Sequence, residues 1–442
     1  MRITLALLIA SVVASSAYAQ GTSEVAGSWL LTADVYGTPA HDRLVLKAEG
    51  GKLTGTDGQS PVEGTVDGNR IHFTSKNDKS TDEYTGTVSG DTMSGTFVHS
   101  EKDNPPPQTL KWSARRLPTR PPGPPKRHEF TPTSFEREFS SRTKPVLTIW
   151  PGDTVHTTTV DAGGADEKGT TRVLGGNPQT GPFFIESAMP GDVLAVRFDR
   201  IRLNRDYAVS DDAIVGRALG PQFAVKMKDT GKTVRWHLDR EKGVATSQSP
   251  GEHLATFTVP LHPMLGCVAV APGFGSAPFP TGDSGRFGGN MDLNEVVEGV
   301  TVYLPVSQPG ALLYIGDGHA AQGDGELNGN ALETSMEVEF TVDVVTSKNI
   351  MTPRIESPTD VMAIGLGGSI EDALRLAVAS LGQWLEQDYK LTPSEVAQVL
   401  GTSLELRINE VADRNAGVTG KLRKAALLPL GAPAVAPKPP TP

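Results

Sequence analysis

Cysteine is nearly absent from this chain of 442 residues, which has one, Cys267. A single thiol excludes a disulfide within the chain and a metal centre made of several cysteines. A nucleophilic role for Cys267 is conceivable, but the residue lies inside the apolar run at residues 266–271. Burial in such a run raises the pKa of a thiol and restricts access to it, so a packing role is favoured.

Positive charge is also scarce. The chain has 41 Lys and Arg against 51 Asp and Glu, a formal net charge of −10. Proteins that bind the phosphate backbone cluster Lys and Arg, so this balance argues against a nucleic-acid partner. The apolar stretch at residues 5–13 is too short to span a bilayer, and no membrane span is predicted.

The N-terminus has the parts of an export signal. Arg2 supplies a positive charge, residues 5–13 supply an apolar core, and residues 17–19 (Ala-Tyr-Ala) form a small-residue cleavage site. A buried N-terminal strand would explain the apolar core but neither of the other parts. We therefore expect a signal peptide at residues 1–19 and a mature protein in the periplasm or outside the cell.

Turn-forming residues are abundant, with 48 Gly and 34 Pro, whereas periodic apolar helices are few. In residues 20–117, strand-like segments alternate with Gly, Asp and Asn turns roughly every 8–12 residues. This spacing predicts a small antiparallel β-barrel or sandwich with Trp29 and Trp112 in its core. An accessory or interaction module is favoured over a ligand-binding barrel.

A proline-rich linker at residues 118–127 is expected to separate this unit from a second one at residues 128–424. The second unit is β-rich as far as about residue 345, and a helical segment follows at about residues 369–413. The chain is therefore predicted to be mainly β with an α+β C-terminal part.

The helical segment has clear start signals. An amphipathic helix is predicted to begin at Ser369, and a second one follows the capping box from Thr392 to Glu395. The Pro- and Ala-rich residues 425–442 are expected to form a disordered tail.

The segment at residues 314–326 carries the densest set of groups capable of catalysis or metal binding. It reads Tyr-Ile-Gly-Asp-Gly-His-Ala-Ala-Gln-Gly-Asp-Gly-Glu and follows an apolar, strand-like run. Asp317 and His319 are two residues apart, so they point to one side of an extended chain and could share a metal ion. For this pair alone, a surface loop is an equally weighted alternative.

Other candidates lie at strand ends and turns. Asp161 ends a Thr-rich strand-like segment, and His262 lies at the entrance to the run that contains Cys267. From the residues alone, a turn role is favoured for Asp161 and a core role for His262. The glycines at residues 288–289 expose main-chain amides beside Asn290, which could stabilise an oxyanion, although a tight turn with an Asn cap is an equal alternative.

The order of these motifs resembles the acetamidase/formamidase family over about residues 130–415. The run at residues 316–326 is long and highly specific to that family. The resemblance also rests on Asn-Pro-Gln-Thr-Gly-Pro at 177–182, Pro-Gly-Asp at 190–192, His-Pro at 262–263, Gly-Gly-Asn-Met-Asp at 288–292, Leu-Pro-Val at 304–306, Glu333 and Pro-Arg-Ile-Glu at 353–356.

The resemblance implies an amidase that hydrolyses small linear amides, of the formamide and acetamide type, to a carboxylate and ammonia. It also implies a divalent metal cofactor, with zinc favoured, that lowers the pKa of a bound water. Carried onto this chain, it implies Asp161, His262, Asp317 and His319 as metal ligands, Glu326 or Glu333 as the general base, Asn290 as an oxyanion donor, and Asn177, Thr180, Gly289 and Asp292 as substrate-binding residues.

Two features depart from the family pattern. Asn328 stands where a cysteine is usual, and the export signal is atypical of enzymes that supply nitrogen in the cytoplasm. The alternatives are a lactam or other amide hydrolase on the same scaffold, and a non-catalytic binding protein of the cell envelope. Exposed strand edges would allow a homodimer, although no segment specifies an interface.

The export signal gives the first testable prediction. We expect N-terminal sequencing of the protein from an exporting host to read from Gln20, because the signal peptidase cuts after Ala19. Recovery of an intact Met1 in the mature protein would show that the segment is not a cleaved signal.

Overall fold

The computed structural model describes residues 25–227 and 230–433. The predicted signal peptide and the end of the predicted tail lie outside these ranges. The chain divides into two compact units, of which one comprises Met1–Pro121 with Met189–Gly191 and the other Pro122–Ala188 with Asp192–Pro442. Each unit is described by itself.

The first unit is a closed antiparallel barrel of eight strands in sequence order. Each strand pairs with the next, and the last strand pairs with the first to close the barrel. The strands are β1 Gly27–Val35, β2 Thr38–Glu49, β3 Lys52–Asp57, β4 Ser60–Asp67, β5 Arg70–Lys76, β6 Ser80–Ser89, β7 Thr92–Glu101 and β8 Asn104–Arg116.

Apolar and polar residues alternate along the strands. The apolar side chains fill the barrel, and the polar ones face solvent. Trp29 and Trp112 are buried in the barrel core, as predicted. The ring of Tyr84 stacks between Phe73, at a centroid distance of 4.5 Å, and Phe97, at 4.9 Å. The sequence had left a barrel and a sandwich open, and closure by the β1–β8 pair decides for the barrel.

The second unit contains the remaining strands. Between the units, residues 117–126 have neither helix nor strand, as their prolines require. The strands are β9 Arg127–Glu129, β10 Glu138–Phe139, β11 Leu147–Ile149, β12 Thr154–Thr158, β13 Gln179–Ile185, β14 Val193–Leu203, β15 Tyr207–Asp211, β16 Thr233–Asp239, β17 Val244–Ser247, β18 Val259–Pro260, β19 Met264–Ala269, β20 Phe279–Pro280, β21 Ser284–Gly285, β22 Gly288–Asn290, β23 Thr301–Pro305, β24 Leu313–His319, β25 Glu333–Thr334, β26 Met336–Val345, β27 Arg354–Glu356, β28 Asp360–Gly367, β29 Glu405–Glu410 and β30 Ala416–Arg423.

Two large sheets form this unit. The first has 11 strands, with the main order β18-β17-β16-β15-β25-β24-β19-β22-β21, and β13 pairs with both β24 and β11. The second has nine strands in the order β29-β30-β28-β27-β23-β14-β26-β12-β9. Phe183 and Ile315 of the first sheet belong to one apolar core with Phe198, Val302 and Phe340 of the second. The two sheets therefore pack face to face.

Four α-helices complete the described chain: α1 Pro221–Ala224, α2 Ile370–Tyr389, α3 Pro393–Ser403 and α4 Lys424–Leu427. Short 3-10 turns lie at Gly216–Ala218, Glu252–Leu254 and Leu428–Leu430. The Ser369 side chain caps α2, and Thr392 forms a reciprocal capping box with Glu395 at the start of α3. Both predicted helix starts are confirmed.

The helical segment packs on the nine-stranded sheet. Leu381 and Leu385 of α2 lie in an apolar cluster with Val361 and Leu422. Leu427 joins the same cluster. The first residues of the segment predicted to be a disordered tail therefore form helical turns and are not disordered. Among the described residues, no helix has the length and apolar character needed to cross a membrane.

The barrel core gives the second prediction. Phe73→Ala removes a fully buried ring that contacts Tyr84 and Trp112. We expect it to lower the free energy of unfolding by about 3–5 kcal/mol in chemical denaturation. Thr54→Ala, an exposed position on β3, is the control and should change it by less than about 0.5 kcal/mol. Equal unfolding midpoints for the two variants would contradict this account of the core.

Candidate active site

The candidate site lies at the end of β24, a strand inside the 11-stranded sheet. Every residue of this strand is buried, including Asp317 and His319. Glycine at position 318 permits this, because a Cβ there would lie 2.3 Å from Cγ of Met336. The Asp-x-His pair is therefore the end of a central strand and not part of a surface loop.

Glu333 completes a tight group of three side chains. It lies on β25 directly opposite His319. Nε2 of His319 is 3.3 Å from Oδ1 of Asp317 and 3.2 Å from Oε1 of Glu333. Since Zn–N and Zn–O bonds are about 2.0–2.2 Å, two ligands of one tetrahedral ion lie about 3.4 Å apart. The observed spacings match that arrangement.

Three further acidic side chains surround this group. Asp292 follows β22, Glu326 follows the glycine-rich run, and Glu410 ends β29 of the other sheet. Ligand-type atoms lie within 4.8 Å of one another in three overlapping sets, which are Asp292, Asp317 and His319; His319, Glu326 and Glu333; and Asp292, Glu326 and Glu410. We call these six residues the acidic centre.

Backbone geometry at the acidic centre is strained. Asp292, Asp317 and Glu326 have φ angles of 44°, 58° and 46°, in the left-handed region that non-glycine residues rarely adopt. Gly266 gives them room, since a Cβ there would lie 2.3 Å from Oδ2 of Asp317 and 2.4 Å from Oδ1 of Asp292. Strain of this kind is typical of functional sites.

The ring of His319 is oriented by Gln322. Nε2 of Gln322 donates to the main-chain oxygen of Asp292 at 2.6 Å, which fixes the amide so that Oε1 faces the imidazole. Nδ1 of His319 lies 2.8 Å from that Oε1 and donates to it. Gln322 thus engages Nδ1, and Nε2 faces Asp317 and Glu333, where it carries a proton in the metal-free centre and would offer a lone pair to a cation. Ligating histidines are commonly held in this way.

Several buried oxygens of the acidic centre have no hydrogen-bond partner in the described part of the chain. The oxygens are Oδ1 and Oδ2 of Asp292, Oδ1 of Asp317, Oε2 of Glu333 and Oε2 of Glu410. Nε2 of His319 also has no hydrogen-bond partner there. Buried polar atoms are normally paired, because an unpaired one loses its hydration without replacement. Together these atoms could hold a cation.

Burial shifts the pKa of several of these groups. Burial, reinforced by Glu333 and Asp317, raises the pKa of Glu326 to about 8, and burial with the nearby Asp317 raises that of Glu333 to about 7. Burial lowers the pKa of His319, but the carboxylates of Glu333 and Asp317 outweigh it and raise the pKa well above its ordinary value. The metal-free centre therefore retains protons near neutral pH, and cation binding would displace them.

An open cavity of about 540 Å³ leads to the centre. Its wall is mostly polar or glycine, with Arg137 as a positive group on one side. The acidic and amide side chains that line it are Asn177, Asp211, Asn290, Asp317, Glu326, Asn330, Glu333 and Asp413. A cavity of this size accommodates a small organic substrate with room to spare.

Two of the expected metal ligands lie outside the acidic centre. Oδ2 of Asp161 is 2.6 Å from the guanidinium of the buried Arg205, and Oδ1 accepts the N–H of Ala165 at 2.8 Å. That carboxylate is already satisfied. His262 has an exposed side chain, and only its main-chain N–H contacts the motif, at Ala320. Asp317 and His319 are the expected ligands that the fold brings together.

The expected substrate-binding residues divide in the same way. Asn177 lines the cavity, whereas Oγ1 of Thr180 donates to the main-chain oxygen of Thr158 at 2.9 Å and Gly289 is enclosed between β19 and β21. A Cβ at Gly289 would lie 2.3 Å from the main-chain oxygen of Asp283, so glycine is required there for packing. Asp292 belongs to the acidic centre.

Asn290 is held between two cavity residues. Its Oδ1 accepts from Nδ2 of Asn177, and its Nδ2 donates to Oδ2 of Asp413, both at 2.7 Å. One N–H of Asn290 is thus committed to Asp413, which leaves its second N–H as the candidate oxyanion donor.

Sequence reasoning missed Gln322, Arg205, Glu410 and Asp413. Gln322 lies inside the recognised motif, three residues after His319, and that spacing was the available signal. Glu410 and Asp413 are more than 80 residues beyond the motif, on the hairpin of β29 and β30. No local pattern in the sequence indicates that these two residues lie near the motif.

A sequence model of the acetamidase/formamidase family matches residues 280–406. A candidate formamidase of Schizosaccharomyces pombe is 54% identical over 41 residues, or 9% of this chain and 10% of that protein. The alignment thus spans only a tenth of that relative's length.

Two solved structures match a larger share of the chain. A predicted acetamidase/formamidase from Thermoanaerobacter tengcongensis has a TM-score of 0.59 and 27% identity, covering 70% of this chain and 99% of that one. An acetamidase from Yersinia enterocolitica has a TM-score of 0.59 and 29% identity, covering 69% of this chain and 93% of that one.

The fold and the site thus define a β-rich protein with a buried centre of carboxylates around one imidazole. The chain is thus similar to proteins of the acetamidase/formamidase family, and the eight-stranded barrel is an additional N-terminal unit.

The hydrogen bond from His319 to Gln322 gives the third prediction. Gln322→Ala removes the acceptor that fixes the tautomer. We expect zinc affinity, measured by competition with a chelating dye, to fall by about 10- to 100-fold. Gln322→Glu keeps an acceptor and should recover most of the loss, and Gln398→Ala, exposed on α3, is the control. Wild-type affinity in Gln322→Ala would show that the tautomer is set otherwise.

Proposed function

We propose that this protein is an exported, metal-dependent amidase that hydrolyses small amides to a carboxylate and ammonia. The observation that carries the proposal is the group formed by His319, Asp317 and Glu333, whose unpartnered atoms converge at the end of a polar cavity. The similarity to acetamidases and formamidases supports the reaction class.

The residues present fit a divalent cation. Nε2 of His319 would offer a lone pair once deprotonated, and Oδ1 of Asp317 and Oε1 of Glu333 lie at ligand–ligand spacing from it. One imidazole with carboxylates suits zinc and does not require cysteine. When bound, the cation would supply Lewis-acid polarisation and lower the pKa of a coordinated water.

The chain's own groups account for the proton transfers. In the overall reaction an oxygen of water bonds to the carbonyl carbon, the C–N bond breaks, and the leaving nitrogen gains a proton. Glu326 takes the proton of the attacking water on the carboxylate oxygen that Ala331 does not occupy, and passes it to the nitrogen. The free N–H of Asn290 is placed to donate to the developing oxyanion.

The cavity bears on the choice of substrate. Formamide and acetamide have only a few heavy atoms and would fill a small part of about 540 Å³. This volume favours a larger amide, including a lactam, as the second candidate substrate for the same chemistry. Asn328, which replaces the family cysteine, donates to the main-chain oxygen of Asp211 at 3.0 Å, close to the cavity wall.

Export to the periplasm or the exterior is part of the proposal. It is supported by the charge, apolar core and Ala-Tyr-Ala site within residues 1–19. An extracytoplasmic amidase would meet amides before uptake, which differs from a role in cytoplasmic nitrogen supply.

Ammonia release is the fourth prediction. The zinc-loaded enzyme should release ammonia from at least one member of a panel of formamide, acetamide, a lactam and larger primary amides. Glu326→Gln should lower kcat by about 100- to 10,000-fold while retaining metal, because the proton acceptor is lost. His319→Ala should lose both activity and zinc.

His262→Ala is the matched control, since the fold leaves this side chain exposed. It should keep zinc and wild-type activity. The assignment fails if His262→Ala loses zinc while His319→Ala keeps it, and the amidase proposal fails if the zinc-loaded enzyme releases no ammonia from any amide of the panel.

A further inference from the structure

We propose that the acidic centre binds a second divalent cation, held by Asp292 and Glu410 beside Glu326. This site lies beside the one formed by His319, Asp317 and Glu333. The proposed function requires only the first ion, so the total of two ions rests on that function. The second site itself is argued from different atoms.

Unpartnered oxygens define the second site. Asp292 and Glu410 are both 0% exposed, and both oxygens of Asp292 and Oε2 of Glu410 have no hydrogen-bond partner within residues 25–227 and 230–433. Oε1 of Glu410 accepts the N–H of Asp413 at 2.7 Å, and Oε1 of Glu326 accepts that of Ala331 at 2.8 Å. These bonds fix both carboxylates, and they leave Oε2 of Glu410 for the cation and the second oxygen of Glu326 for the proton of the attacking water.

Glu410 separates this site from the first. It appears in only one of the three sets of converging ligand atoms, the set without His319. Asp292 belongs to that set and to one with His319, so it lies between the two sites. Glu410 therefore has no role in holding the first ion, yet its free oxygen points into the same buried centre.

The backbone is shaped to present these groups. β29 shifts register against β30 between Ile408 and Glu410, a bulge that turns the Glu410 side chain inward. Asn409 anchors the bulge, because its Nδ2 donates to the main-chain oxygen of Met291 at 2.6 Å, next to Asp292. The hairpin is thus tied directly to the segment that carries another proposed ligand.

Charge balance favours a second ion once the carboxyl groups of the acidic centre are ionised. Five buried carboxyl groups face one imidazole in the acidic centre, and the buried Arg205 is engaged by Asp161. One divalent cation offsets two negative charges and leaves the remaining ones in a medium that solvates them poorly. A second cation would relieve that repulsion and keep Glu326 in the ionised form that accepts a proton.

The ligand types distinguish the two ions. The first site has an imidazole nitrogen, which suits zinc, whereas the second has only carboxylate oxygens. Oxygen-only sites prefer hard cations such as Mg²⁺, Ca²⁺ or Mn²⁺, which also retain several waters. Mn²⁺ is the probe of choice because it suits such a site and is visible by electron paramagnetic resonance.

The test counts ions on the full chain. The enzyme is stripped with a chelator, loaded with one equivalent of Zn²⁺, titrated with Mn²⁺, and analysed for both metals. Wild type should bind one of each. Glu410→Gln should keep zinc but bind Mn²⁺ more than ~10-fold more weakly, and His319→Ala should show the reverse loss.

Glu405→Gln is the matched control, since Glu405 lies on the same strand, exposed and paired with Arg423. It should bind both ions as wild type does. Folding is checked by thermal unfolding of the metal-free proteins. Glu410→Gln removes a buried like charge at nearly constant shape, so its Tm should be at least that of wild type, and Mn²⁺ should raise it less.

The outcomes separate this inference from the proposed function. Saturation of wild type at one ion, or unchanged Mn²⁺ binding in Glu410→Gln, overturns the second site, because protons would then neutralise Asp292 and Glu410. Two bound ions without ammonia release would overturn the amidase and leave the second site standing.

Discussion

The constraint on which this structure depends is the burial of several carboxyl groups around one imidazole. Carboxylates removed from water repel one another and lose hydration, so they are tolerated only where a cation or protons compensate. The surrounding sequence serves this arrangement. Gly266 leaves the space that Asp317 and Asp292 occupy, and Gln322 holds His319 with Nε2 toward the carboxylates. The left-handed backbone at Asp317 turns its side chain into the centre.

The two-sheet scaffold supplies the centre from both of its layers. Asp317, His319 and Glu333 come from β24 and β25 of the 11-stranded sheet, while Glu410 comes from β29 of the nine-stranded sheet. The apolar core between the sheets fixes the distance between these contributions. Helix α2 packs on β28 and β30 through Leu381 and its neighbours, and so supports the hairpin that carries Glu410.

Local signals in the sequence predicted the fold well where they act over short distances. The period-2 alternation and regular turns of residues 20–117 indicated the β-barrel, and Ser369 and Thr392 marked both long helices correctly. The Asp-x-His spacing indicated the strand end that carries the candidate site. Closure of the barrel through β1 and β8 was beyond such signals, since it depends on residues far apart in the chain.

The same limit explains why two of the expected ligands lie away from the acidic centre. Asp161 and His262 had the right chemistry at strand ends, but Arg205 satisfies the first and solvent surrounds the second. Neither fact is visible in the local sequence. Glu410 lies just after the helices in a segment without catalytic character, and only the packing of one sheet on the other brings it to the centre.

The hairpin of β29 and β30 gives the site a further property. Glu410 follows α2 and α3 in the sequence, so a chain whose last strands have not yet folded lacks one of the six groups of the acidic centre. If the acidic centre holds a cation, as proposed, binding of that ion depends on completed folding of the C-terminal strands.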